Sequence, residues 1–213
     1  MPTIRTALLA ALLLPAGAIA ADRNDLREFH IGMPVSALPH QGYVDFRCAD
    51  DPARQLSGWD QWQSCPAEAN GTHAVGFHYE DVLQDGGAGK TRVGGHPVTI
   101  ALLIDNQATL AGIRIDTDPH TSLYMRKKAF LMALQVRARY GEEGWTCHHE
   151  QPTATEHPVG GVFIHEHCEK VTASRHFVLD RELFRDPSKD LRDFVNGTQL
   201  TIERPDLPST PRE

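Results

Sequence analysis

"PVTIALLIDNQATLAGIRID", residues 97–116, decides the fold. Two aliphatic and β-branched runs, "PVTIALLID" (97–105) and "ATLAGIRID" (108–116), flank the turn residues Asn106 and Gln107. That spacing predicts a β-hairpin. Working outward, "HAVGFHYE" (73–80) alternates with Val75, Phe77 and Tyr79 on one face. Further upstream, Val44, Phe46 and Cys48 are expected to point inward against Tyr43, Asp45 and Arg47. The stretch between them (49–72) reads as a stapled loop whose Trp59 and Trp62 cover a core edge, and "QDGGAGKTRVGG" (84–95) reads as a flexible insertion.

Downstream, "TSLYMRKKAFLMALQVRARYG" (121–141) predicts one long helix capped by Thr121 or Ser122 and ended by Gly141. Met125, Ala129, Met132, Ala133, Val136 and Tyr140 form its apolar stripe, widened by Phe130 and Leu134. Arg126, Lys127, Lys128, Arg137 and Arg139 are expected to face solvent. Three more strands are expected within 144–150, 159–170 and 174–184, then a short helix over 186–197 with Asp186 as its cap, and a last strand over 198–204. Few of these strands are separated by helices long enough for parallel crossovers. The expected class is therefore α+β, a mainly antiparallel sheet packed against one long helix. "GGHPVTIALLID" and "HPVGGVFIHEH" both set His-Pro-Val at a strand entrance, an echo that raises an internal duplication with halves 21–118 and 119–204.

Residues 1–20 have the form of a signal peptide: Arg5, the apolar run "ALLAALLLP" (7–15) and the small residues "AIA" (18–20), with cleavage expected after Ala20 or Ala21. Residues 21–204 are then a single domain, and 205–213 a flexible tail. Losing the leader moves the formal charge from -7 to about -8, because it carries Arg5 and no acid. An acidic chain of this kind is a poor nucleic-acid binder, and no later segment has the apolar run of a membrane span. The four cysteines allow three connectivities. The pairs Cys48–Cys65 and Cys147–Cys168 are expected, because each lies within one half of the chain.

Few motifs carry chemistry. "GGAGKT" (86–91) lacks the glycine a phosphate loop needs at position 84, where Gln84 stands. Asn70–Thr72 and Asn196–Thr198 read as Asn-Gly turns. No Gly-x-Ser-x-Gly elbow and no His-Glu-x-x-His helix occurs, so no catalytic residue is assigned. Histidines are the richest signal. In "FIHEHCEK" (163–170), alternation places Ile164, Glu166 and Cys168 on one strand face, and His165, His167 and Glu169 on the other. With a turn centred near 171, His167 would oppose His176, and Cys147–Cys168 pairing would bring in His148, with Asp180 close by. His148, His165, His167, His176 and Asp180 are therefore candidate ligands for Zn²⁺ or Cu²⁺. The competing reading is a solvated, pH-sensitive sheet face.

"LREFHIGMPVSALPHQGYVDF", "KKAFLMALQVRARYGEEGWTC" and "LFRDPSKDLRDFV" together resemble small exported proteins of proteobacteria. The resemblance implies a periplasmic setting and transfers no catalytic or binding residue. The Ile-Gly-Met opening is also similar to the starts of small envelope helix-plus-sheet modules. The expected function is a non-enzymatic binding or interaction protein of the bacterial envelope, acting through a sheet face or edge on an envelope protein partner. The alternative is a periplasmic metal-binding protein.

Overall fold

The computed structural model describes residues 25–80, 91–190 and 192–207. The signal-peptide reading, residues 84–90 of the insertion and the end of the tail lie outside them. The chain builds strands β1 (Tyr43–Cys48), β2 (His73–Tyr79), β3 (Arg92–Val93), β4 (His96–Ile104) and β5 (Leu110–Thr117). Two helices follow, α1 (Leu123–Arg126) and α2 (Phe130–Tyr140), and then β6 (Thr146–His149), β7 (Ile164–Val171), β8 (His176–Arg185) and β9 (Phe194–Glu203).

All the strands join one antiparallel sheet in the order β1-β2-β4-β5-β9-β8-β7-β6, with β3 folded onto β4. Two four-stranded meanders thus meet where β5 pairs β9. The predicted hairpin is β4–β5. Its turn is fixed by Asp105, whose carboxylate accepts from the backbone N–H groups of Gln107 and Thr109 at 3.0 Å each. Arg204 Nη1 holds the other oxygen of Asp105 at 2.9 Å.

One face of the sheet carries the main core. Leu102, Ile113, Ile202 and Leu179, on adjacent strands, are wholly buried. Against the first meander, Phe29, Tyr43, Trp59, Phe77 and Tyr79 form an edge-to-face aromatic cluster with centroids 5.1–5.9 Å apart. Each such pair adds about 1 kcal/mol beyond its buried area. Against the second meander, α2 buries Met132, Ala133 and Val136, and Thr198 on β9 donates to the Ala129 carbonyl at 3.0 Å. Disulfides Cys48–Cys65 and Cys147–Cys168 close loops with separations of 17 and 21. Each is worth about 3 kcal/mol by loop entropy.

Four elements differ from the sequence reading. The long helix is broken: Ser122 caps α1, α2 starts only at Phe130, and Phe130 and Leu134 face solvent instead of widening the stripe. Arg137, expected outside, lies on the Cys147–Cys168 sulfurs at 3.3 and 3.1 Å and reaches Glu166 at 4.0 Å. In β1 the alternation flips at a bulge between Val44 and Arg47, where Asp45 takes φ 55°, so Tyr43 enters the core. The helix expected over 186–197 is absent. Asp186 and Asp190 hold local turns through the N–H groups of Ser188 and Arg192, and Phe194 to Gly197 pair with β8 as the start of β9. The competing side-chain bonds of Asp explain this outcome. Likewise Arg92 and Val93, read as part of a flexible insertion, form β3, and Val162 is exposed in a turn ahead of β7.

Candidate functional site

The sheet's other face carries no helix, and across its second half it is polar. Register places one unbroken row of side chains over six strands: His148 (β6), His167 (β7), Asp180 (β8), Gln199 (β9), Asp116 (β5) and Thr99 (β4). Cross-strand neighbours in such a row lie within side-chain reach. The bonds run along it: His167 Nδ1 lies 2.6 Å from Asp180 Oδ1, and Gln199 Nε2 donates to Asp116 Oδ1 at 2.5 Å.

Beside this row runs a second, His165–Glu182–Gly197. Gly197 leaves a gap in the surface: a Cβ added there would meet only Thr117 Oγ1, at 3.9 Å. The gap opens a cleft of about 410 Å³ lined by Asp116, Thr117, His165, Asp180, Glu182, Gly197, Thr198 and Gln199. His165 is ringed by carboxylates, with Glu150 at 3.6 Å and Glu156 and Glu182 at 3.8 Å.

Burial sets the electrostatics of the cleft. It lifts Asp180 from the ordinary 3.8 to about 6, with His165 opposing and Glu150 and Glu169 adding to the rise. Asp116 rises through burial against the Gln199 hydrogen bond, and Glu182 rises through burial against His165. Glu203, buried at the end of β9, rises for the same reason against its partner His176. The guanidinium of Arg114, on the same face, is held by Glu68 at 2.9 Å and Asp50 at 3.5 Å.

The five predicted ligands share this face but do not converge. His148 stands directly across from His167 and is exposed. His167 has both nitrogens occupied, by Asp180 and by Glu169 Oε1 at 2.9 Å. The β7–β8 turn is centred between residues 173 and 174, so His167 opposes Asp180 and His176 opposes Val171. His176 is correspondingly removed from the cluster and buried, its Nδ1 3.1 Å from Glu203 Oε1. Among the described residues, the sole trio with ligand atoms mutually within 4.8 Å is Cys147, Glu166 and Cys168. Its sulfurs are joined in a disulfide, so they are not thiolate ligands.

Sequence reasoning missed Asp116, Glu182, Gln199, Gly197 and Glu203 as members of the site. Asp116 closes the very run "GIRID" used to predict the hairpin, and its outward parity was legible there. Gly197 was hidden by the helix expected over its segment. No helix among the described residues is long and apolar enough to cross a membrane. Comparison with protein-family models, curated proteins and solved structures finds no match to this chain.

Proposed function

We propose that this chain is a non-enzymatic binding protein of an exported, oxidising compartment, and that it receives a cationic group of an envelope protein partner in the cleft over Gly197. One observation carries the reading: three acids line this cleft, Asp116, Asp180 and Glu182, and burial pushes all three toward their neutral forms. Desolvated carboxylates without full compensation are costly, and an incoming ammonium or guanidinium relieves that cost. Two disulfides suit an oxidising compartment.

The test places a photo-crosslinking residue at Glu169, exposed on this face, or at Leu134, exposed on α2. Envelope extract should give an adduct with one basic protein from position 169 only. Adding Gly197→Val, which fills the gap with a side chain suited to a strand, should abolish it. Equal adducts from both positions, no adduct, or indifference to Gly197→Val would each sink the proposal.

The metal-binding alternative draws on one observation, the His148–His167 cross-strand pair. It requires His167 to give up a carboxylate at one nitrogen. Titration with Zn²⁺ and Cu²⁺ of untagged protein separates the two readings. The cationic-group reading expects no stoichiometric uptake at micromolar metal, and His165→Ala with His167→Ala should leave the result unchanged.

A further inference from the structure

A second cavity, of about 770 Å³, lies on the opposite side of the sheet, beneath α2. Its floor is apolar: Ile115 and Leu200 from the central strands, Met132 and Val136 from the helix, and Leu26 from the N-terminal segment. Gln135 on α2 donates to the Gly94 carbonyl at 2.8 Å and so ties the helix to the β3–β4 turn along one wall. Gly94 is required there, because its φ is +57° and a Cβ would fall 1.9 Å from Gln135 Oε1.

The rim is cationic. Arg27, Arg92 and Arg139 line the cavity, and no carboxylate does so among the described residues, although the whole chain has a formal charge of -7. Arg27 lies 3.5 Å over the Tyr79 ring, and Arg92 Nη1 donates to the Gly95 carbonyl at 3.0 Å, so two of the three heads are held at the mouth. The positive potential is felt nearby: the imidazole of His96 is pushed down by burial first, then by Lys128 and Arg92. Size, an apolar floor and a few convergent charges are the attributes of a small-molecule site.

We propose that this cavity binds a single-chain amphiphilic anion, the acyl chain under α2 and the anionic head among Arg27, Arg92 and Arg139. Charge complementarity selects this occupant, because a neutral or cationic amphiphile would leave the guanidinium rim unmatched. The site is on the other face from the cleft over Gly197, so the two proposals stand or fall separately.

The test is calorimetric titration of the full mature chain below micellar concentration. Dodecanoate and a lysophosphatidylglycerol distinguish a carboxylate from a phosphate head. Dodecanol supplies the chain alone, butyrate the head alone, and dodecyltrimethylammonium the wrong charge. At least one long-chain anion should bind one to one, roughly tenfold or more tighter than dodecanol, with butyrate and the cationic amphiphile failing to saturate. Arg92→Glu with Arg139→Glu should remove that preference while dodecanol binding persists. Val93→Trp, a half-buried lining position, should block both, and retained melting temperatures confirm that the variants fold. Equal affinity for the cationic amphiphile, an unaltered preference in the charge-reversed variant, or no binding by any long-chain probe overturns the proposal. The last result would include the case of a cavity filled by chain outside the described residues.

Discussion

Asp180 shows how one side chain couples burial to pH. Its folded-state value near 6 stands above the ordinary 3.8, so the native chain binds more protons than the unfolded chain between those values. The contribution is fully present below 3.8 and is lost as pH rises through about 6. Asp180→Asn removes it, so the variant's melting temperature should gain on that of the parent between pH 4 and pH 7. A constant difference across that range would contradict the assignment. His78 acts in the opposite sense: burial, then Arg47, depress it below 6.5, so its contribution is lost as pH falls. Asp25 anchors the N-terminal segment differently. It is bound by Arg175 at 2.7 and 3.0 Å and by the Ile31 N–H at 2.8 Å, almost without solvent contact. Arg175→Met strands that carboxylate and should cost about 3 kcal/mol in denaturant unfolding.

Among the elements, β1 is the most instructive. Its bulge holds Asp45 at φ 55°, a conformation that glycine adopts without strain and a β-branched residue does not. Asp45→Gly should be near neutral and Asp45→Val should destabilise by about 1–2 kcal/mol, read from urea midpoints. A bulge of this kind leaves no mark on a period-2 pattern, which is why Tyr43 was placed outward from sequence. The β4–β5 hairpin was legible because propensity, alternation and turn residues agreed there. In 186–197 the helical cues, an Asp cap and Pro at the next position, were equally good Asx-turn cues, and tertiary pairing with β8 decided the outcome. The helix over 121–141 was legible in its caps and its buried stripe, but its interruption before Phe130 was not.

For the molecule as a whole, the sheet divides labour between its faces. One face buries the core beneath α2 and the aromatic cluster, and the other exposes His148, His167, Asp180, Gln199, Asp116 and Thr99 as one row. Histidines and acids on alternating positions were readable in single strands. Their assembly was not, because a row across six strands depends on register, and a turn displaced by two residues exchanges every partner. The Cys147–Cys168 bridge locks β6 to β7 at the end of that row, where His148 faces His167. Replacing both cysteines by alanine should cost about 2–4 kcal/mol. The claim that the cleft is a desolvated acidic receptor is tested most directly by a carbon-13 NMR titration of the Asp180 carboxyl. The account predicts a midpoint about 6, falling when a cationic partner is bound. A midpoint at the ordinary 3.8 would contradict it.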